Sequence, residues 1–169
     1  MYLRWIDDED KDKCSKCWLK EEYCFCQKMP DPKLRHKLLC YMAVNEVKKH
    51  MSSNTGKIIP LWGGRLICEG AYDDEKKLKS VLNQSKTPVI LFPAENAVPI
   101  STFKDKGELL IIALDGSWKE AKRMNGKLDQ NIPRVCLSDI QACFSLRDSL
   151  GATRKYQESE RVQTAPAVV

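Results

Sequence analysis

The stretch that most restricts the fold is residues 108–128. Glu108-Leu109-Leu110-Ile111-Ile112-Ala113-Leu114 is almost wholly apolar, and β-branched Ile111 and Ile112 suit a strand buried on both faces of a parallel sheet. After Asp115-Gly116 the pattern changes. Ser117-Trp118-Lys119-Glu120 has the form of a capping box, and Trp118, Ala121, Met124 and Leu128 then recur at helical spacing with Lys119, Lys122, Arg123 and Lys127 between them. Asp115 therefore falls in a strand-to-helix turn. In open α/β sheets small ligands bind at the carboxyl ends of strands, facing helix N-termini, so a carboxylate there is well placed for chemistry. Asp-Gly is also ordinary turn chemistry, so position alone separates neither a functional Asp115 from a turn former nor a pocket-lining Trp118 from core.

The remaining chain is expected to surround this unit with one α/β domain, because 169 residues suffice for a single buried core. His36 to Val44 reads as a first buried strand, Asn45 to Met51 as a helical turn, and Ser52 to Lys57 as a polar loop. Trp62-Gly63-Gly64 is a turn before a short strand ending at Cys68. A helix follows, capped by Asp73 or Asp74, with Leu78, Val81 and Leu82 inward and Glu75, Lys76, Lys77 and Lys79 toward water. Val89 to Phe92 forms another strand, opening into the proline-flanked loop Pro93 to Pro99, and Ile132 to Leu137 a fifth. The segment Ala142 to Gly151 and a final loop with Arg154, Lys155, Arg161, Gln163 and Thr164 complete the chain.

Four of the eight cysteines are grouped as Cys14-x-x-Cys17 and Cys24-x-Cys26. Two close pairs of soft ligands can complete a tetrahedral zinc site without a core of their own, whereas a redox Cys-x-x-Cys would not be crowded by two further thiols. Structural zinc on Cys14, Cys17, Cys24 and Cys26 is the expectation, with a boundary near residue 33 separating a small module (1–33) from the main domain (34–169). Cys40, Cys68, Cys136 and Cys143 stand singly in or near apolar segments and read as small hydrophobes. No apolar run approaches a membrane span, and Asp7-Asp8-Glu9-Asp10 is unlike a signal or transit peptide, so no membrane partner and an intracellular site, cytoplasm or nucleus, are expected. The net charge is +5; residues 1–36 hold eight basic and eight acidic side chains, so the excess (20 against 15) lies wholly in residues 37–169 and favours a polyanionic partner only weakly.

Asp115-Gly116-Ser117-Trp118 resembles the Asp-x-Thr-Trp signature of the DTW-domain proteins, with Ser for Thr. In the family's order the chain also carries the cysteine cluster, Asn54-Thr55-Gly56, Leu91 to Ala97 (similar to Leu-[Phe/Tyr]-Pro-x-Glu-x-Ala) and Arg161-Val162-Gln163-Thr164-Ala165-Pro166-Ala167. The resemblance implies a SPOUT-like α/β domain, a mostly parallel sheet whose C-terminal segment threads a trefoil knot around S-adenosylmethionine. It implies transfer of the 3-amino-3-carboxypropyl group of that donor to N3 of a tRNA uridine. Asp115 would be the general base; Leu91, Pro93, Glu95, Asp115, Gly116, Ser117, Trp118, Arg161 and Thr164 would bind the donor; Asn54, Thr55, Lys119, Lys122 and Arg123 would bind tRNA. A homodimer is compatible with the resemblance but not required by it. The last motif departs from the family's usual Ser-Thr-x-Glu-Ala: Pro166 replaces a carboxylate with a rigid imino acid, and the sequence ends three residues later. Two other readings stay open: a non-catalytic, zinc-stabilised RNA-binding member, and a methyltransferase using the same pocket with the methyl turned toward the substrate.

Overall fold

A computed structural model describes residues 12–14, 16–17, 19–28, 34–50 and 54–137. Six strands, β1 (Lys37–Met42), β2 (Arg65–Cys68), β3 (Pro88–Leu91), β4 (Val98–Pro99), β5 (Leu110–Asp115) and β6 (Arg134–Cys136), form one sheet in the order β2-β1-β5-β3-β6-β4. Every adjacent pair is parallel. The apolar run 108–114 explains the centre: β5 lies between β1 and β3, and Leu110 to Ala113 are all buried.

Side chains alternate between two cores, as strand geometry requires. On one face Leu39, Tyr41, Ile90 and Ile112 meet Leu78 and Val81 of α3 (Tyr72–Gln84) and Ala121 and Met124 of α4 (Trp118–Lys127). On the other, Leu38, Cys40, Met42 and Val89 meet Ile59 of α2 (Ile58–Leu61), with Val47 of α1 (Val44–His50) packed against them. Burial on both faces is why the strands read as continuous apolar runs.

Several local expectations need correction. The N-cap of α3 is Ala71, with no side-chain cap. Asp74 is instead 7% exposed, and its Oδ2 accepts a 2.9 Å hydrogen bond from the Cys68 amide. Glu75 does not simply face water: its Oε1 accepts from the Tyr41 hydroxyl at 2.7 Å and the Gly70 amide at 2.9 Å. Two-residue β4 occupies part of the loop expected to be irregular, and the last strand is confined to Arg134–Cys136. Arg134, 3% exposed, donates to Asn125, Asp129 and Ile132, fastening β6 to the end of α4. The expected C-terminal knot, with Cys143, Ser145-Leu146-Arg147 and Arg161 to Ala167, lies outside the described residues.

Candidate active site

The sheet order creates a crevice. β1 and β5 are neighbours, yet α1 and α2 after β1 pack on one face and α4 after β5 on the other. Their chains leave the carboxyl edge in opposite directions, and such a switch point is where open α/β sheets bind ligands. Asp115 sits there, paired in register with Met42, its carbonyl accepting from the Ala43 amide at 2.8 Å.

Two segments distant in sequence meet at this carboxylate. Asn54 caps the short 3-10 turn Thr55–Lys57, its Oδ1 accepting from the Gly56 amide at 2.6 Å. Gly56 is buried so tightly that an added Cβ would lie 2.6 Å from Asp115 Oδ2, 2.9 Å from Met42 Cε and 3.0 Å from Asn54 Oδ1. Gly116 is likewise closely packed: a Cβ there would come within 3.0 Å of the Ala43 Cβ and 3.2 Å of the Glu120 Cβ.

Two consecutive residues of α1, which the sequence did not single out, tie both segments together. Asn45 Nδ2 donates to Glu120 Oε1 at 2.7 Å, and Glu46 Oε2 accepts from Asn54 Nδ2 at 3.0 Å. Glu120 completes the capping box read from the sequence: its Oε2 accepts from the Ser117 amide at 2.9 Å and the Ser117 hydroxyl at 2.6 Å. The Ser117 hydroxyl, with help from Asn45, holds the Glu120 carboxyl below its ordinary range. An Asn just after a buried strand is the only sequence trace such a clamp leaves, and it is too common to read in advance.

Leu91 ends β3 opposite Ala113, so the Pro93–Glu95 loop leaves the edge one strand from Asp115; Pro93 and Glu95 are exposed. Trp118 is half-buried and stacks on buried Phe92, with ring centroids 5.3 Å apart and planes 17° apart. Lys122 Nζ lies 5.1 Å from the Trp118 ring centroid, while Lys119 is exposed to solvent. Arg123 is engaged within the protein. Together with Lys127, whose Nζ is 2.7 Å from Oε1, it ion-pairs with Glu69, whose side chain is 4% exposed. Burying a carboxylate requires such partners. Both cations remain about half-exposed. Arg161 and Thr164 lie outside the described residues.

Cys14, Cys17, Cys24 and Cys26 bring their sulfurs within 4.8 Å of one another, with Cys14–Cys26 at 3.8 Å and Cys17–Cys24 at 3.9 Å. These separations are far too long for disulfides, but a zinc tetrahedron with Zn–S bonds of about 2.3 Å has edges of about 3.8 Å. Backbone amides of Cys17 and Lys16 pull the Cys14 thiol down to about 6, whereas burial and neighbouring thiols push Cys26 up to about 12. Four sulfurs this close make a donor set that fits a structural zinc ion, which would hold them as thiolates. The cluster also lies near enough to the Thr55–Lys57 turn for the charge of Cys17 to act on Lys57. Cys17 is fully buried, and Lys57, 7% exposed and next to Gly56, has its pKa lowered by burial while the charge of Cys17 opposes the shift. The single cysteines Cys40 and Cys68 are buried like small hydrophobes, and Cys136 is half-buried.

None of the described helices is long and apolar enough to cross a membrane. No solved structure matches the chain. A family model described as the DTW domain matches residues 11–167, a span that takes in the cysteine cluster, the Asn54–Gly56 turn and the Asp115 edge. The chain belongs to the DTW domain family.

Proposed function

We infer that this protein modifies tRNA, moving the 3-amino-3-carboxypropyl group of S-adenosylmethionine to N3 of a uridine. The observation that carries the reading is the close approach of Gly56 to Asp115 Oδ2, which brings two family motifs together at a switch point of a parallel sheet. Family membership supports RNA modification as the class of activity.

The donor supplies an alkyl carbon bearing a sulfonium leaving group. The loops at Leu91, Pro93 and Glu95 and at Gly116, Ser117 and Trp118 would hold it across the carboxyl ends of β3 and β5, with Arg161 and Thr164 closing the site. Uridine N3 is a poor nucleophile until its proton is removed. Asp115 would take that proton as the bond from N3 to the γ-carbon forms, while the carbon–sulfur bond breaks and its electron pair departs with methylthioadenosine. A positioned base of this kind contributes about 10²–10⁴-fold, and orientation of the two reactants supplies much of the rest. Asn54 and Thr55, with Lys119, Lys122 and the exposed part of Arg123, would position the RNA. Residues 1–33 would act as a zinc module supporting the 34–169 domain from the Lys57 side.

The test is incubation of zinc-loaded protein with S-adenosylmethionine and unmodified tRNA, followed by digestion and mass spectrometry. Aminocarboxypropyluridine with release of methylthioadenosine is the expected result; methyluridine would refute the proposed reaction, and no adduct would refute the enzyme. Asp115→Asn should keep donor affinity, measured by calorimetry, and lose about 10²–10⁴-fold in transfer.

A further inference from the structure

The edge of the sheet opposite Asp115 carries a second basic feature. A cleft of about 650 Å³ opens at the amino ends of β2, β1, β5 and β3, rimmed by Arg65, Lys37, Lys86 and Lys106. Its one acidic residue among those described, Glu108, lies 2.7 Å from Lys37 Nζ and is neutralised by it. Arg65, Lys86 and Lys106 are exposed and make no ion pair among the described residues. The floor is apolar, from Leu38, Leu109 and Leu110. Two glycines of left-handed φ on its wall, Gly63 and Gly107, have no atom within 4 Å of where a Cβ would stand, so nothing narrows the opening there.

Shape and charge together select the occupant. Arg65 and Lys86 belong to segments three strand spacings apart, about 14 Å at about 4.8 Å per spacing. That row is too long for a single phosphate but suits successive phosphodiesters of a nucleic-acid strand, whose charges recur every few ångströms. The row lies one strand length, about 17 Å for six-residue β5, from Asp115. Arg123 and Lys127, by contrast, share their charge with Glu69. We propose that the Arg65–Lys86–Lys106 cleft is a phosphate-backbone docking site that grips the RNA substrate at a distance from the reacting uridine. The proposal rests on RNA being the substrate.

The test compares Arg65→Gln/Lys106→Gln with Lys76→Gln/Lys79→Gln, which removes the same charge from the exposed face of α3. Binding of an unmodified tRNA transcript to the full chain is measured by fluorescence anisotropy from low to high salt. The cleft variant should bind roughly tenfold more weakly near 0.1 M salt and flatten the slope of log K against log salt by about 1.4–1.8, the loss of two phosphate contacts, while the α3 variant keeps the wild-type slope. Donor binding by calorimetry should match wild type for both. Equal slopes for the two variants overturn the proposal and leave the transferase reading standing. A flattened slope in a protein that forms no aminocarboxypropyluridine upholds the docking site and overturns the transferase. A wild-type chain that binds no transcript overturns both.

Discussion

Gly56→Ala is the sharpest probe of the site, because its effect on stability and its effect on chemistry have different sizes. Gly56 does not have left-handed φ, so alanine fits the backbone and should gain about 0.4–1 kcal/mol by restricting the unfolded chain. The new methyl, however, would stand 2.6 Å from Asp115 Oδ2, well short of an ordinary van der Waals contact, and only 2.9 Å from Met42 Cε. Met42 is fully buried, and Asp115 hangs from a strand whose carbonyl is bonded to Ala43, so neither backbone can retreat. Either the carboxylate rotates or the Asn54–Lys57 turn backs away. Overpacking of this kind costs about 1–3 kcal/mol, leaving a net loss of at most about 2.6 kcal/mol and a fall of at most about 10 °C in Tm for a chain of this size. A misplacement approaching 1 Å at a reacting group costs about 100-fold in rate, so transfer should fall far more than stability. Thermal unfolding by circular dichroism and radiolabel transfer from S-adenosylmethionine into tRNA separate the two. Gly126→Ala is the control: it lies in α4 with nothing within 4 Å, and should stabilise by about 0.5–1 kcal/mol without touching the rate. A Gly56→Ala protein with wild-type Tm and transfer within about twofold of wild type would refute the packing of this turn on Asp115 and the role built on it.

Metal content should be one zinc per chain by plasma emission, lost in Cys14→Ser or Cys26→Ser but kept in Cys40→Ala, and chelation should lower Tm and speed amide exchange at Gly56 and Lys57 beside the cluster. Removing both partners of Glu69 in Arg123→Ala/Lys127→Ala leaves a buried carboxylate without a cation. Urea denaturation should show a loss of about 2–4 kcal/mol, around the low end for buried pairs because both cations are half-exposed. The Glu120 carboxyl is held below its ordinary pKa of 4.5 by Ser117 and Asn45, so its contribution is present above that value and disappears as pH falls through the lower folded-state value. The Tm difference between wild type and Glu120→Gln should therefore be largest near neutral pH and shrink in acid below the ordinary carboxylate range; an equal difference at both would dismiss the linkage.

Features that depend on residues a few positions apart can be read directly from the chain. The central buried strand, expected over 108–114 and found at Leu110–Asp115 so that Asp115 ends the strand rather than sitting past it, and the capping box of Ser117 and Glu120 are legible because strand burial and helix capping are set by composition and three-residue spacing. The cysteine cluster is legible for the same reason, since two close pairs on a short loop need little else to converge. The parallel sheet follows from apolar runs too continuous for a half-wet surface. Local rules mislead where a distant partner claims the side chain. Asp74 has the place of a helix cap but bonds the Cys68 amide, Glu75 is drawn inward by Tyr41, and Arg123 is taken by Glu69, 54 residues away. That β1 and β5 lie side by side with their helices on opposite faces is settled by long-range topology alone. Gly56, Asp115, Ala43 and Gly116 share one crevice because of that crossing, and chain crossing is a property of sheet order, which no window of neighbouring residues encodes.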